Sequence, residues 1–500
     1  MDKSFYITTP IYYPSAKPHM GHAYSSIIAD FFARFKRIDG FDVQFLTGTD
    51  EHGLKIQRSA EKKNIDPLEF CNQISKTFRD LSQTLNLTNT DFIRTTEERH
   101  KKSVQHLWNE LVKNDDIYLS KYSGWYSVSD EAFYNEDEIE DIDGVKRSIS
   151  SKSPVEWIEE ESYFFRLSKW EKPLLDYYKS HPDFIAPASR KNEVISFVKN
   201  GLKDLSVSRK SFSWGIKVPN NDDHVIYVWL DALTNYISAL NYPDTNNKLF
   251  KNFWPASIHL IGKDILRFHA VYWPAFLLAA KIELPLKVYG HGWILSGDEK
   301  MSKSKGNILD PIDIINEYGI DPLRYYLIKE VSFGNDGNIS QERLEDCINS
   351  DLANNYGNLC QRVTAFAIKN CNSQVPKDIK FEKEDLMILD KYKNNLTKIR
   401  DKIDTQDVNF YIGFIINSLF EANKYFNDQE PWKKKEDLVR LNTIVFTTLE
   451  IVRKISFLLY PIIPQSTIKA LKIFDLNEND INFASVGNNE ALLKGSKLNK

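Results

Sequence analysis

The strongest constraint on the fold is a strand–helix–strand pattern near the start of the chain. Phe5 to Thr9 is a short apolar run, and Val43 to Leu46 is a second one. Between them a helical pattern runs from His22 to Ile38, with apolar residues spaced to form one core-facing stripe. A strand–helix–strand unit of this length predicts a parallel sheet covered by helices, the α/β arrangement.

The rest of the chain divides by its sequence pattern. With 500 residues, about three domains are expected. The α/β pattern returns in apolar runs at Val225 to Leu230, Ile258 to Ile261 and Lys287 to Tyr289, with a helix predicted from Asp264 to about Ala280. Helical periodicity dominates from about Ser340 onward, as in a helix bundle. We expect five segments: 1–114, the first half of the α/β domain; 115–210, an inserted connective subdomain; 211–295, the second half; 296–345, a basic loop and linking region; and 346–500, a helical domain.

Composition excludes several classes of protein. A hydrophobic share of 42% and a charged share of 27% are those of a globular chain. No apolar run approaches the roughly 20 residues of a membrane span, and no secretory signal precedes the first strand, so we expect a cytoplasmic protein without membrane contact. Removal of a transit peptide stays open. The net charge of -4 is not that of a polybasic nucleic-acid binder, although a local basic face can still bind RNA.

The cysteines are Cys71, Cys347, Cys360 and Cys371, and none lies in a C-x-x-C pair. This spacing argues against a disulfide framework and against a four-thiolate zinc knuckle, so we expect reduced, mostly buried thiols. Between residues 115 and 210 there is no cysteine, and His181 is the one histidine. We therefore predict no structural zinc and no metal ligands.

Two motifs carry chemistry. His19-Met20-Gly21-His22 stands where the first strand's loop meets the first helix. A helix N-terminus binds anions, Gly21 permits close approach of a ligand, and the two histidines can donate to a phosphate. The ordinary alternative is a helix start with two incidental histidines.

The second motif, Lys300-Met301-Ser302-Lys303-Ser304-Lys305-Gly306-Asn307, is a basic loop. Its lysines could close over a triphosphate and neutralise it. The alternative for such a cluster is a solvated basic turn. No P-loop and no G-x-G-x-x-G sequence is present.

Together the motifs resemble HIGH and KMSKS, the signatures of class I aminoacyl-tRNA synthetases. The second matches at every position, and the first has Met20 where isoleucine is usual, an apolar exchange of similar volume. Within the class the chain is similar to the methionyl-tRNA synthetases. That similarity extends over most of the chain and is carried by these further stretches: Thr8-Thr9-Pro10-Ile11-Tyr12-Tyr13, Gly48-Thr49-Asp50-Glu51-His52-Gly53, Tyr227-Val228-Trp229-Leu230-Asp231-Ala232, Ile261-Gly262-Lys263-Asp264-Ile265, Phe268-His269, His291-Gly292, Asn358-Leu359-x-x-Arg362 and Pro431-Trp432.

The resemblance implies a Rossmann-like catalytic domain with a connective insert, followed by an all-α anticodon-binding bundle. It also implies methionine activation by ATP with Mg²⁺, giving methionyl-adenylate, and then transfer of methionine to tRNA(Met), including initiator tRNA. Asp50 would bind the methionine ammonium group. The implied remainder of the methionine site is Ile11, Tyr13, Trp229, Tyr236, Ile265, Phe268 and His269.

For ATP, the resemblance implies catalytic stabilisation of the reacting phosphates by His19, His22, Lys300 and Lys303. The other implied ATP-binding residues are Gly21, Gly262, Asp264, His291, Gly292, Met301, Ser302 and Ser304. In the helical tail, Asn358, Arg362 and Trp432 would read the anticodon, and the alternative for Trp432 is a cap on the bundle core. No appended dimerising module is evident, so we expect a monomer.

Other interpretations compete with this one. Synthetases for leucine, isoleucine or valine carry a large editing insertion, for which about 95 residues leave little room. The cysteine enzyme needs a metal–thiolate site. A small nucleotidyltransferase sharing H-x-G-H would lack the helical tail, and an inactive tRNA-binding protein would not need the intact lysines and histidines.

Overall fold

The structure is a computed structural model that describes residues 3–14, 17–130, 132–296, 299–300 and 310–499. The chain forms two compact units. Unit A comprises Ser4–Pro18 and Gln44–His291. Unit B comprises Met1–Lys3, His19–Val43 and Gly292–Lys500.

The β-strands of the described residues are these: β1 Ser4–Tyr12, β2 Asp42–Thr49, β3 Asp91–Arg94, β4 Ile117–Ser127, β5 Ala132–Tyr134, β6 Ile139–Ile142, β7 Val145–Ser148, β8 Glu156–Phe165, β9 Ile185–Ala186, β10 Leu205–Ser206, β11 Ser208–Arg209, β12 Lys217–Val218, β13 Asn221–Ile226, β14 Ile258–Gly262, β15 Val288–His291, β16 Ile294–Ser296, β17 Glu299–Lys300 and β18 Gly337–Ile339.

The α-helices are these: α1 Met20–Ile38, α2 Leu54–Lys63, α3 Pro67–Thr84, α4 Glu98–Lys113, α5 Glu171–Ser180, α6 Ala188–Lys199, α7 Val228–Leu233, α8 Asn235–Ser238, α9 Lys248–Phe253, α10 Trp273–Ala279, α11 Pro311–Tyr318, α12 Ile320–Glu330, α13 Gln341–Cys347, α14 Asn358–Asn370, α15 Lys383–Asp404, α16 Val408–Gln429, α17 Leu438–Leu459 and α18 Pro464–Leu471.

A six-stranded sheet forms the centre of unit A, with the strand order β3-β2-β1-β14-β15-β9. β2 pairs parallel with β3, β1 with β14, β14 with β15, and β15 with β9. Nearly every residue of the central strands is buried, which explains why their sequences do not alternate between apolar and polar residues. The predicted parallel α/β sheet is confirmed.

The insert consists mainly of antiparallel strands. β10, β8, β4 and β5 form one sheet, and β6 and β7 form a separate hairpin. β9 lies within the expected range of the insert, yet it pairs with β15 at the edge of the parallel sheet.

The apolar run Val225 to Leu230, expected to continue the α/β pattern, does not form a strand of the parallel sheet. Val225 and Ile226 end β13, which pairs antiparallel with β11 and β12 in a small sheet. Val228 then begins α7. A short apolar run has no period long enough to separate a buried strand from a buried helix, and tertiary packing decides between them.

Unit B contains the first helix and the helical tail. α1 is buried along nearly its whole length, so its charged residues need internal partners. Asp30 accepts from Arg34 and from Arg324 of α12, each at 2.7 Å, and Arg324 also donates to the carbonyl oxygens of Pro461 and Ile462. The tail is helical from α13 to α18, as predicted. Among the described residues, no helix combines the length and the apolar character needed to cross a bilayer.

Candidate active site

The carboxyl ends of neighbouring strands meet at one edge of the parallel sheet in unit A. Asp50 directly follows β2, and its N–H donates to the Tyr12 carbonyl oxygen at the end of β1 (3.0 Å). Gly262 ends β14 and lies in register with His291, which ends β15. Ligands of open α/β sheets bind at this edge, so the fold gathers several predicted site residues where such ligands bind.

A group of aromatic side chains packs together in unit A. The rings of Trp229 and Phe268 stack at 3.6 Å with 7° between their planes. Trp229 also makes an edge contact with His269, and the Tyr236 hydroxyl lies 2.6 Å from His269 Nε2. Phe268 and His269 lie in a π-helical turn, Phe268–Tyr272, and such turns often occur at functional sites. Ile265 packs against the same core.

The hydrogen bonds fix the protonation of this group. His269 Nδ1 lies 3.0 Å from the Ile265 carbonyl oxygen, which only accepts, so Nδ1 carries a proton. In the neutral ring Nε2 then accepts from the Tyr236 hydroxyl. Burial lowers the pKa of His269 to about 4 and raises that of Tyr236, so both side chains are uncharged near neutral pH.

The two predicted pocket residues from β1 and its loop lie in different surroundings. Ile11 packs against the large core that includes Tyr236. Tyr13 packs instead against a smaller cluster of Ile56, Ala60, Phe70 and Cys71, joined by Trp214. That cluster adjoins the Asp50 turn, because Trp214 Nε1 donates to the Glu51 carbonyl oxygen (2.6 Å).

Sequence reasoning missed the residues that hold this turn. The fully buried Glu51 carboxylate accepts from Arg94 Nε at 2.7 Å and from Arg94 Nη2 at 2.9 Å. His52 Nδ1 lies 2.6 Å from Asp231 Oδ2, and His100 Nε2 lies 2.7 Å from Asp231 Oδ1. The sequence did contain one signal for the Asp231 contacts. Asp231 is a single carboxylate within the apolar run of α7, and a buried charge requires buried partners.

Three of the residues predicted to border adenosine lie together in unit A. A Cβ atom placed on Gly262 would lie 2.6 Å from Asp264 Oδ1 and 3.9 Å from His291 Cε1. A larger residue at Gly262 would therefore collide with the carboxylate. Gly292 belongs to unit B, where a Cβ would lie 2.2 Å from the Asn335 carbonyl group.

The H-x-G-H motif forms the N-terminus of α1 in unit B. His19 is the N-cap, and its Nδ1 accepts from the Gly21 N–H at 3.1 Å. His22 Nδ1 accepts from the His19 N–H at 3.1 Å, and the two rings lie 3.8 Å apart. Each Nδ1 is an acceptor, so the neutral imidazoles carry their protons on Nε2. Burial and the nearby His19 lower the pKa of His22.

α1 begins at Met20, two residues before the predicted start at His22, because a histidine caps it where serine, threonine or aspartate is usual. Gly21 leaves little space: a Cβ there would lie 3.0 Å from His19 Cε1.

Most of the second motif lies outside the described residues. Lys300 is the last residue of β17, which pairs antiparallel with β16. Met301, Ser302, Lys303 and Ser304 fall in the range the structure does not describe.

The predicted anticodon residues lie close together on the helical tail. Arg362 lies one turn after Asn358 on α14, and its guanidinium stands 5.6 Å from the Phe426 ring. Arg362 also donates to Asn427 Oδ1 at 2.6 Å. Trp432 makes an edge contact with the same Phe426 at 6.2 Å and is 40% exposed.

Within the described part of the chain, no group of three or more histidine, cysteine, aspartate or glutamate side chains is arranged to hold a metal ion. All four cysteines are buried, as expected, and burial raises the pKa of each thiol.

Comparison with known proteins identifies close relatives of this arrangement. Residues 5–144 and 138–364 match the family described as tRNA synthetases class I (M). The methionine–tRNA ligase of Brucella suis is 50% identical over 486 residues, which cover 97% of this chain and 94% of that protein. The methionine–tRNA ligase of Rickettsia felis is 50% identical and covers 100% of this chain and 97% of its own.

A solved structure agrees with the fold. Mycobacterium tuberculosis methionyl-tRNA synthetase in complex with methionyl-adenylate superimposes with a TM-score of 0.97 at 45% identity. The match covers 100% of this chain and 98% of that one.

Proposed function

The chain belongs to the methionine–tRNA ligases, a family of class I tRNA synthetases, and we propose that it charges tRNA(Met), including initiator tRNA, in two steps. The methionine carboxylate attacks the α-phosphate of ATP, forming methionyl-adenylate and releasing pyrophosphate. The terminal ribose of the tRNA then attacks the activated carbonyl carbon and AMP leaves. The observation that carries this proposal is the 50% identity to methionine–tRNA ligases over 97% of the chain.

For methionine, the proposal assigns Asp50 to the ammonium group and the aromatic group to the thioether. Stacked Trp229 and Phe268 offer flat apolar faces, and sulfur–aromatic contacts are favourable by roughly 0.3–1.5 kcal/mol. Ile11 and Ile265 complete the apolar wall. Tyr236 and His269 supply uncharged polar atoms, and a weakly polar sulfur requires no charged partner. Tyr13 is assigned to the part of the methionine site next to the Asp50 turn.

For ATP, the proposal assigns Gly262, Asp264 and His291 to adenosine, with Gly292 next to them in sequence. The close approach of Asp264 to Gly262 favours this assignment, because only glycine leaves the backbone open there. The nucleotide brings Mg²⁺ on its phosphates, since this ion is usually held by phosphate oxygens and few protein carboxylates.

His19 and His22 are proposed to stabilise the reacting α-phosphate. Their Nδ1 atoms accept backbone N–H groups, so each neutral ring directs an Nε2 proton away from the helix end, as a phosphate donor must. The dipole of α1 adds positive potential at the same point, and Gly21 keeps the backbone accessible. Lys300 and Lys303 would neutralise the departing pyrophosphate, and Met301, Ser302 and Ser304 are assigned to ATP binding. Little proton transfer is required, so positioning and charge neutralisation supply the catalysis.

For tRNA, Asn358, Arg362 and Trp432 are proposed to read the anticodon. An exposed indole can stack on an unpaired base, while arginine and asparagine can bond to base edges.

The proposal also covers the location, oligomeric state, zinc content and domain division of the protein. The protein acts in the cytoplasm as a monomer and holds no structural zinc. The segments 1–114 and 211–295 form the catalytic domain, 115–210 the connective insert, 296–345 the loop and linking region, and 346–500 the anticodon-binding domain.

The test is ATP–pyrophosphate exchange with each of the twenty amino acids, followed by charging of tRNA transcripts. Methionine alone should support rapid exchange, and tRNA with a CAU anticodon should be charged. Faster exchange with leucine, isoleucine, valine or cysteine would contradict the proposal, as would adenylate formation without any transfer to tRNA.

A further inference from the structure

One buried carboxylate joins three segments of unit A. Asp231 lies on α7 with no exposed surface, and its two oxygens each meet an imidazole nitrogen. His52 follows Asp50 by two residues in the turn after β2, and its Nδ1 lies 2.6 Å from Oδ2. His100 lies on α4, and its Nε2 lies 2.7 Å from Oδ1.

The Asp231 network is anchored on the side away from the turn. His100 Nδ1 lies 2.8 Å from Ser238 Oγ, and Ser238 also donates to the Asn235 carbonyl oxygen. Both imidazoles face Asp231, and as nitrogen donors they hold its carboxylate in the charged form. Their hydrogen bonds and charge lower the pKa of Asp231 even though burial alone would raise it.

Stability alone does not account for this arrangement. Removing a charge from water costs several kcal/mol, and well-packed apolar residues of the same volume are often at least as stabilising. A hydrogen-bonded carboxylate does supply direction, because both partners must keep a fixed distance and orientation. His52 lies two residues after Asp50, so its bond to Asp231 connects α7 to the turn that begins with Asp50.

We propose that Asp231, acting through His52, is a positioning residue that fixes the Asp50 carboxylate for the ammonium group of methionine. This inference rests on the proposed function and on the role given there to Asp50. Asp231 is fully buried, so its role is to position other groups. His100 and Ser238 hold the far side of the carboxylate, so that α7 serves as the fixed reference for the turn.

The first test is Asp231→Asn, which keeps the shape of the side chain but removes one acceptor and the charge. In ATP–pyrophosphate exchange, the KM for methionine should rise about tenfold or more, while the KM for ATP stays within about twofold. An unchanged methionine KM would overturn the inference.

A second measurement separates positioning from general damage to the pocket. Two methionine analogues serve as competitive inhibitors, one lacking the amino group and the other lacking the carboxylate. Asp231→Asn should weaken the analogue that retains the ammonium group about tenfold and leave the desamino analogue within about twofold. Equal weakening of both analogues would show a merely structural role and overturn the inference.

Asp116→Asn is the matched control. Asp116 is also a buried carboxylate of unit A, accepting from Lys169 at 2.8 Å and from Trp170 Nε1 at 3.2 Å. This control should lower thermal stability without changing the methionine KM.

If Asp231→Asn does not fold, the variant His52→Gln provides the test, because it leaves the Asp231–His100 contact in place and removes only the link to the Asp50 turn. It should reproduce the same split between analogues, and its failure to do so overturns the inference. A wild-type protein that does not exchange with methionine would refute the proposed function instead.

Discussion

Trp432 offers the sharpest separation of the two reaction steps. Its indole is 40% exposed and makes an edge contact with the Phe426 ring. Stacking of a base on an aromatic ring contributes roughly 1–3 kcal/mol, which corresponds to a loss of about 5- to 150-fold in kcat/KM for charging when the ring is removed. Trp432→Ala should therefore reduce tRNA charging by that factor, while methionyl-adenylate formation continues at nearly the wild-type rate.

The same substitution also removes the Phe426 contact, worth about 0.5–1.5 kcal/mol, so a small fall in melting temperature is expected. Trp157→Ala is the matched control: Trp157 is 49% exposed and makes a similar edge contact with Trp125 at 5.2 Å. The assays are pyrophosphate exchange, and charging of transcripts with the CAU or an altered anticodon. Trp432→Ala should lose discrimination between the transcripts and Trp157→Ala should keep it. Equal loss in both steps with a lowered melting temperature would refute the anticodon role.

Three further predictions concern the catalytic unit and the insert. Asp50→Ala should abolish methionine activation, because an unpaired buried ammonium costs several kcal/mol, while calorimetry still detects ATP binding; near-normal exchange would place the ammonium site elsewhere. Since burial lowers the pKa of His269 from 6.5 to about 4, the unfolded chain binds its proton more tightly. The contribution of His269 to the free energy of unfolding is then fully present above pH 6.5, and about 3 kcal/mol of it is lost as the pH falls toward 4. In urea unfolding, the stability of His269→Gln should therefore fall less steeply between pH 6.5 and pH 4 than that of the wild type. Elemental analysis should find no stoichiometric zinc, and about one zinc per chain would contradict the prediction based on the cysteine-free insert.

The parallel sheet was predictable because its strands are buried on both faces and separated by helix-length segments. The position of Asp50 was predictable for the same reason, since a residue just after a buried strand lies at the edge where α/β sheets bind ligands. α7 was not, because Val228 to Leu233 is too short for its period to be read. The networks around Glu51 and Asp231 were also hidden. His52 and Asp231 are 179 residues apart in sequence, and only the folded chain brings them together.

The proposed methionine pocket separates its charged group from its uncharged groups. The polar groups proposed for the thioether region are uncharged, because burial keeps His269 neutral and Tyr236 protonated. Asp50 is the one proposed site residue there that supplies a negative charge for the ammonium group. A carboxylate that moved toward the thioether wall would favour ligands with a cationic side chain over methionine. Holding the Asp50 turn through His52 therefore affects selectivity as well as affinity, because it keeps the charge at the end of the pocket where every amino acid has its ammonium group.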